Sequence, residues 1–232
     1  KSIIGGNLNA AGKAVEFGSR LPDTNSAIDA VTIVGDINAN HVTIQNGNNI
    51  VYGSNSSHAN FNLNGSGGSA LQRSQTELES EIAAVFTDIY NDSLYFNSLA
   101  TNGSFSGPGN QSSLSFSGSE SVAVFNVNAS DVFAQNNSLS LQQASASTVV
   151  INVAGTDITA GGGVNLTNGF SQQTATNIVW NFFEATTINF NNLALKGSVL
   201  APYADTTGGS SFDGAFAAVS YTGAREFHNF LF

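Results

Sequence analysis

A six-residue pattern recurs three times in the second half of the chain and constrains its fold more than any other feature. The copies are 122–127 (VAVFNV), 148–153 (TVVINV) and 177–182 (NIVWNF). Side chains alternate between the two faces of a strand, so each copy places Val and Asn on one face and apolar residues on the other. The central residues of that apolar wall are Phe125, Ile151 and Trp180.

The spacing of the copies indicates stacked coils. They lie 26 and then 29 residues apart, and each is too short to bury an apolar face alone. A second apolar position follows each motif, at Val132, Ile158 and Ile188. Repeats of this kind build a continuous core only by stacking. We therefore predict a mainly β fold, a β-solenoid, in a single domain over residues 1–232.

Composition excludes several classes of protein. The chain has 6 Lys+Arg against 16 Asp+Glu and a formal charge of −10, a poor match for nucleic acid or anionic lipid. A hydrophobic fraction of 41% argues against disorder. The absence of cysteine excludes disulfides, thiolate metal sites and thiol nucleophiles. No stretch reaches the about 18 to 20 apolar residues that span a bilayer. We expect any signal peptide, anchor and further domains to lie outside this chain.

Short alternating segments in the first 65 residues predict strands separated by Gly and Asn turns. They are 2–4, 14–17, 31–34, 42–44, 50–52 and 60–63. The triplets Val31-Thr32-Ile33 and Val42-Thr43-Ile44 recur 11 residues apart. They are either two sides of one coil or a local hairpin.

One long helix is predicted from about residue 73 to about 98. Ser74-x-x-Glu77 and Thr76-x-x-Glu79 are overlapping capping boxes. An apolar stripe at helical spacing follows, consisting of Leu78, Ile82, Val85, Phe86 and Ile89, with Leu71 and Phe96 as extensions. We expect the stripe to dock on the chain's own sheet. The alternatives are a partner-binding helix or a membrane-surface helix, and the acidic polar face disfavours the latter.

The predicted helix has an obvious place to dock. Val124, Val150 and Val179 lie on the face opposite the apolar wall, and an exposed Val ridge needs a cover. We predict that the helix lies lengthwise along this flank. The Asn residues of the three motifs would then stack beside it, amide donating to amide, which satisfies groups that are costly to bury unpaired.

The remaining segments fit the same scheme. Residues 101–120 are rich in Gly and Ser and are predicted to form a return loop within the domain. Residues 197–202 and 214–218 each resemble a glycine corner followed by a strand, about 17 residues apart, as expected for narrower coils. The aromatic C-terminus, 226–232, is expected to cap the end of the core.

Several of these segments resemble a known family, the bacterial choice-of-anchor A domain. The resemblance rests on Phe-Asn-Val before Asn128-Ala-Ser130, Ile-Asn-Val-Ala-Gly155, Trp-Asn-Phe-x-Glu184-Ala185-Thr186, Gly197-Ser-x-Leu200-Ala-Pro202-x-Ala204-Asp205, Glu226-x-His228-Asn229 and Ile3-Ile4-Gly5-Gly6-Asn7-Leu8. Phe183, Tyr203 and 213–216 depart from the family pattern. The resemblance implies an adhesive domain of bacterial surface proteins, similar in architecture to ice-binding proteins built as a right-handed β-helix with a lengthwise helix.

Few residues are candidates for chemistry. The three histidines, His41, His58 and His228, lack metal-ligand spacing. Five other groups of residues could in principle carry chemistry. They are Glu226 with His228, the carboxylates Asp205, Asp213 and Glu184, the calcium-loop-like Asp36-x-Asn38-x-Asn40, the corner 161–163, and the Asn-x-Ser/Thr triplets at Asn55, Asn102 and Asn136. We interpret them as caps, polar turns and chance matches. We assign no catalytic, cofactor-binding or metal residues and leave the ligand-binding residues open.

The sequence thus favours a non-catalytic adhesive domain of a bacterial cell-surface or secreted protein that binds a glycan, peptide or surface ligand. Ice binding is an alternative, for which Thr32, Thr43, Thr148 and Thr176 are available without a regular Thr-x-Thr ladder. A structural spacer is a further alternative. A polysaccharide-degrading enzyme is disfavoured by the shortage of Lys, Arg and His. We expect no cofactor, no nucleic-acid partner and no membrane insertion by this domain.

Overall fold

The computed structural model describes residues 1–10, 12–23, 25, 27–107, 109–228 and 230. The protein is mainly β, with 44% strand and 14% helix, and its strands form parallel sheets, one of them curled into a half-barrel. The chain divides into two compact units, Lys1–Thr87 and Asp88–Phe232, and each is described below by itself. The expectation of one domain over residues 1–232 stays a prediction.

The first unit contains two parallel sheets. Its strands are β1 (Ser2–Ile4), β2 (Leu8–Asn9), β3 (Ala14–Phe17), β4 (Asp29–Asn38), β5 (His41–Ile44), β6 (Asn49–Ser54), β7 (Asn60–Leu63) and β8 (Ala70–Gln72). One sheet has the order β1-β4-β6-β8 with β2 beside β4, and the other has the order β3-β5-β7. The recurring triplets lie on β4 and β5, which belong to separate parallel sheets, so the hairpin alternative is excluded.

A long helix begins in the first unit. Helix α1 spans Gln75–Ser98, close to the predicted 73–98, and it is the one helix of seven or more residues in the described chain. Ser74 and Glu77 form the predicted capping box: the Glu77 N–H donates to Ser74 Oγ (3.3 Å), and the Ser74 N–H donates to Glu77 Oε2 (3.4 Å).

The apolar stripe of the helix is narrower than predicted, and its first two buried members cover a different surface. Leu78 and Ile82 are buried in a cluster with Val34 and Val51 of the first unit. Leu78 and Ile82 therefore cover β4 and β6, and the prediction that these two residues cover the Val column is wrong. Two stripe members are exposed and take no part in the core, namely Leu71 at 43% and Val85 at 38%.

The second unit holds the remaining elements. They are β9 (Ser104–Ser106), β10 (Gln111–Ser115), β11 (Val122–Asn128), α2 (Ala129–Val132), β12 (Ser138–Gln142), β13 (Thr148–Ala154), β14 (Asp157–Thr159), β15 (Asn165–Leu166), α3 (Gln172–Ala175), β16 (Ile178–Asn181), β17 (Thr187–Asn189), β18 (Leu195–Lys196), β19 (Ser198–Thr207), β20 (Ser211–Asp213), β21 (Phe216–Thr222) and β22 (Glu226–His228).

The three Val-x-Asn motifs form neighbouring parallel strands in register. Phe125 pairs with Ile151, Ile151 with Trp180, and Trp180 with Val199 in the sheet order β11-β13-β16-β19. All four side chains are at most 2% exposed and belong to one core cluster. The predicted apolar column is confirmed. The predicted 17-residue step is confirmed as well, because Val199 pairs with Phe216.

The segment 101–120 is more ordered than a return loop. It contains β9 and β10, which pair antiparallel. On its other side β10 pairs in parallel with β12, and β12 pairs in parallel with β15. Phe105 packs against the core, and Leu114 is fully buried within it. Alternating Ser and apolar residues form these strands. A loop was predicted because Ser and Gly dominate the composition of the segment, and that prediction is wrong.

The motif asparagines form a hydrogen-bonded ladder along the sheet, as predicted. Asn181 Nδ2 donates to Asn152 Oδ1 (2.9 Å), and Asn152 Nδ2 donates to Asn126 Oδ1 (3.0 Å). Helix α1 flanks the ladder within the second unit, because Asn181 also donates to the Ser93 carbonyl (2.9 Å) and Asn152 donates to the Phe96 carbonyl (2.8 Å). The C-terminal part of the helix therefore lies against the Val-x-Asn face, which it contacts through these hydrogen bonds.

Aromatic packing closes the core near β22. Phe227 stacks on Phe212 with ring centroids 5.1 Å apart, and its ring also meets Phe216 and Tyr221 edge-on. This agrees with the predicted aromatic cap. Three further residues of the predicted cap, Asn229, Leu231 and Phe232, lie outside the described residues.

Candidate functional site

Four parallel strands of the second unit present a regular set of small polar side chains to solvent. In the order β14, β17, β19 and β21 they pair in register, which aligns two columns two residues apart. We call these eight residues the outer ladder: Asp157, Thr187, Asp205 and Ser220 in one column, and Thr159, Asn189, Thr207 and Thr222 in the other. Asn189 is half-buried and the other seven are exposed.

The outer ladder is regular because the core fixes the backbone beneath it. Between the columns, Ile158 and Ile188 point into the core at 4% and 2% exposure. Neighbouring parallel strands lie about 4.8 Å apart and residues two apart on a strand about 6.6 Å apart. The outer ladder therefore repeats hydroxyl, amide and carboxylate groups on a grid of about those dimensions.

Hydrogen bonds along one column hold its side chains in place. Thr187 Oγ1 donates to Asp157 Oδ1 (2.8 Å), and Ser220 Oγ donates to Asp205 Oδ1 (2.6 Å). Each carboxylate is thus oriented by a hydroxyl on the next strand and keeps further acceptor capacity toward solvent. The arrangement is suited to hydrogen bonding with a ligand laid across the strands.

Two exposed tyrosines lie at one end of the outer ladder. Tyr203 precedes Asp205 by two residues on β19 and is 43% exposed. Its ring contacts that of Tyr90 on helix α1, with centroids 5.2 Å apart. An exposed tyrosine pair adds apolar contact area and hydroxyl groups beside the polar grid.

The carboxylates proposed from the sequence as a possible group are held in separate networks. Asp205 belongs to the outer ladder, whereas Glu184 Oε1 accepts a hydrogen bond from the Gly155 N–H (2.8 Å). Asp213 is fully buried and pairs with Lys196 and with His228 Nδ1, the latter at 2.5 Å. Each carboxylate has a structural partner of its own.

Lys196, Asp213 and His228 lie side by side on three parallel strands, β18, β20 and β22. Burial opposes ionisation of Asp213, but hydrogen bonds from Lys196 and His228 outweigh it and lower the pKa of Asp213. Hydrogen bonds raise the pKa of His228, the one to Glu226 having the larger effect and the one to Asp213 the smaller. The Glu226–His228 pair expected at the C-terminus is confirmed at 3.0 Å, and this charged cluster joins the last strand to its neighbours.

The calcium-loop-like triplet beginning at Asp36 is a strand-end network. Asp36 lies in β4, and its carboxylate accepts hydrogen bonds from the Ser54 hydroxyl and from the Ser56 hydroxyl and N–H. Hydrogen bonds from Ser56 and Ser54 lower the pKa of Asp36 to about 2. Across the described residues, no three His, Asp or Glu side chains are grouped so that they could hold a metal ion.

The threonines named for ice binding are scattered. Thr32 and Thr43 lie on separate sheets of the first unit, while Thr148 begins β13 and Thr176 follows α3 in the second. The outer ladder was missed from the sequence. Its signal is the set of triplets Asp-Ile-Thr, Thr-Ile-Asn, Asp-Thr-Thr and Ser-Tyr-Thr, which begin at Asp157, Thr187, Asp205 and Ser220 and follow no fixed period.

The fold and the outer ladder define a class of mainly β proteins in which in-register parallel strands display a regular polar surface. None of the described helices is both long and apolar enough to cross a membrane. A family model described as "Putative Ice-binding-like adhesive domain" matches residues 1–229. The chain belongs to this ice-binding-like adhesive family.

The family match confirms the expected adhesive, ice-binding-like class and does not confirm the choice-of-anchor A name. Comparisons with curated proteins and with solved structures return no significant match.

Proposed function

We propose that the chain is a non-catalytic adhesive domain, exposed on the surface of a bacterium or secreted from it, that binds an external ligand through the outer ladder. The observation that carries the proposal is the in-register pairing of four strands, which aligns Asp157, Thr187, Asp205 and Ser220 in one exposed column. Family membership supports the adhesive role. A glycan, a peptide or a mineral or polymer surface are all ligands that such a grid can hydrogen-bond.

We further propose that the parallel sheets are the sides of right-handed β-solenoid coils, with α1 lying along a flank. Parallel pairing across successive segments supports this architecture. Crossover connections between parallel strands of one sheet are right-handed in almost every known case. A scaffold of this kind keeps the outer ladder rigid, so little conformational entropy is lost when a ligand binds.

Ice binding is the second candidate. A flat grid of hydroxyl groups at fixed spacing suits contact with an ordered water lattice, and Thr159, Thr187, Thr207 and Thr222 supply four such groups. However, Asp157 and Asp205 interrupt the grid with carboxylates, which hold their own hydration shells. We therefore favour adhesion to a hydroxyl- or amide-bearing ligand over contact with ice. A structural spacer is the third candidate, in which the outer ladder binds nothing.

The hydrogen bonds made by the candidate carboxylates support a non-catalytic role. A glycosidase needs two carboxyl groups facing one substrate, separated by roughly 5 to 10 Å. Asp213 is buried in an ion-pair cluster, and Glu184 accepts from the backbone of Gly155. Asp157 and Asp205 share the exposed face two strands apart, about 9.6 Å and at the upper limit of this range, and a hydroxyl on the next strand orients each of them. These roles are those of structural and ligand-contacting groups.

The test combines a ligand screen with one disruptive variant. Thr207→Tyr places a bulky ring in the exposed grid, while Asn62→Tyr makes a matched change at an exposed position of β7. On a glycan and peptide array, we expect the wild type and Asn62→Tyr to bind the same ligands and Thr207→Tyr to lose them. Equal binding by both variants would place the ligand elsewhere.

Thermal hysteresis of the same three proteins distinguishes the candidates. We expect none above that of a non-binding control protein. Hysteresis in the wild type that Thr207→Tyr abolishes would establish ice binding in place of adhesion. A protein with neither array binding nor hysteresis would be a spacer.

A further inference from the structure

The asparagine ladder ends at an open recess that shares no residue with the outer ladder. This recess has a volume of about 210 Å³ and is formed by Asn97, Asn126, Val127, Asn128, Asn152, Ala154 and Phe183. Pockets that enclose a whole drug-sized ligand occupy about 300 to 1,000 Å³. The recess is therefore of a size to take one group of a larger ligand.

The helix carbonyls fix which way every amide in the ladder points. A carbonyl oxygen only accepts hydrogen bonds, so the Nδ2 atoms of Asn181 and Asn152 must face the Ser93 and Phe96 carbonyls. Asn152 Nδ2 also donates to Asn126 Oδ1, which leaves Nδ2 of Asn126 as the last donor of the series. Hydrogen bonds in series polarise one another, so this terminal N–H group is a strengthened donor.

The strand edge beside Asn126 offers backbone groups as well. The N–H and C=O of Val124 point away from β13, because both bond to Asn102, at 2.7 and 3.1 Å. Groups two residues apart on a strand point the same way, so the N–H and C=O of Asn126 face the same edge. Within the described part of the chain, no other residue donates to or accepts from these two backbone groups.

The open edge is too short to pair with a peptide strand. It is limited on one side by the bonds between Asn102 and Val124 and on the other by helix α2, which begins at Ala129. Between these limits only Asn126 and Asn128 turn their backbone groups to the edge, whereas peptide recognition by strand addition uses a run of main-chain bonds. A single amide group with a small apolar substituent fits the opening better.

We propose that the recess binds the acetamido group of a 2-acetamido sugar. The carbonyl of that group would accept from Asn126 Nδ2, and its N–H, which points the opposite way, would face the open strand edge. The methyl group would rest against Ala154 and Phe183, the apolar side of the recess. The sugar ring would remain outside, which matches the small volume. This site is separate from the outer ladder and does not depend on its role.

The test is a titration of isotopically labelled protein with N-acetylglucosamine, followed by nuclear magnetic resonance. We expect saturable shifts of the Asn126 side-chain amide and of the backbone amides of residues 126–128. Glucosamine and glucose, which lack the acetyl group, should leave these signals unchanged. The absence of saturable shifts, or equal shifts with glucosamine or glucose, would overturn the proposal. Equal or tighter binding of N-acetylalanine methylamide would overturn it in favour of a peptide ligand.

Two variants test the assigned contacts. Asn126→Asp removes the terminal donor and keeps an oxygen for Asn152 Nδ2, so affinity should fall about tenfold or more. Asn62→Asp adds the same charge at an exposed site and should bind as the wild type does. Ala154→Phe fills the recess without touching the amide ladder and should also abolish binding. Unchanged affinity in either recess variant, with native fluorescence of Trp180 as a folding control, would contradict the proposal.

Discussion

Replacing Asn181 by leucine tests whether the asparagine ladder stabilises the second unit. The Asn181 side chain is fully buried and makes three hydrogen bonds, two with Ser93 and one with Asn152. Leucine has a similar volume and makes none of them. The Ser93 hydroxyl and Asn152 Oδ1 would remain buried without a partner, at about 2 kcal/mol each. The variant should therefore lose about 4 kcal/mol of unfolding free energy.

A matched substitution at the end of the ladder sets the scale. Asn126 is exposed and accepts one hydrogen bond, from Asn152 Nδ2. After substitution of Asn126, Asn152 Nδ2 would still donate to the Phe96 carbonyl. Asn126→Leu should therefore cost only about 0.5 to 1 kcal/mol. For a unit of this size, 1 kcal/mol changes Tm by about 2 to 4 °C, so the two variants should differ by roughly 10 °C.

Urea unfolding followed by fluorescence gives the measurement. Trp180 is the sole tryptophan of the chain, it is fully buried, and it lies next to Asn181 on β16. Its emission therefore reports the unfolding of the second unit alone. A loss below about 1 kcal/mol for Asn181→Leu, or equal losses for both variants, would refute the view that the buried part of the ladder carries the stability.

Three further outcomes are expected. Leu78→Ala removes a fully buried side chain from the first unit and should cost about 3 kcal/mol in a circular-dichroism denaturation, and a cost below 1 kcal/mol would contradict its docking. Gly169 has a φ of 88°, and a Cβ there would lie 1.9 Å from the Leu141 carbonyl oxygen, so Gly169→Ala should lower Tm well below that of Gly162→Ala, which meets open space. Because the two carboxylates beside His228 raise its pKa, its contribution to stability is complete below about pH 6.5 and is lost as pH rises through the raised value. His228→Gln should flatten the decline in Tm between pH 6 and pH 9, and an unchanged profile would exclude this origin.

Sequence reasoning reached the elements whose signal is local or strictly repeated. The strands Ser2–Ile4, Ala14–Phe17 and Asn60–Leu63 have the predicted bounds, and helix α1 differs from its prediction by two residues at the start. The asparagine ladder followed from alternation and the shared motif, because one residue type at one position needs only parallel register to stack.

The outer ladder could not be found in the same way. Its residues differ in type, and paired members lie 30 residues apart at Asp157 and Thr187 but 15 apart at Asp205 and Ser220. Loops of unequal length hide such a column until the register is known. The surface covered by Leu78 was predicted wrongly for a related reason: an apolar stripe identifies a buried face but does not identify the sheet that buries it.

Disulfide trapping tests the in-register pairing of strands most directly. The chain has no cysteine, so an engineered pair has no competitor. Thr187 and Asp205 are register partners on neighbouring strands, which places their Cα atoms about 4.8 Å apart, within the range that a disulfide spans. Thr187 and Thr207 are offset by two residues, at about 8 Å, beyond that range. Oxidation should cross-link Thr187→Cys/Asp205→Cys and leave Thr187→Cys/Thr207→Cys free, as read from mobility on non-reducing gels. Failure of the first pair to cross-link, or faster cross-linking of the second, would contradict the register on which the outer ladder depends.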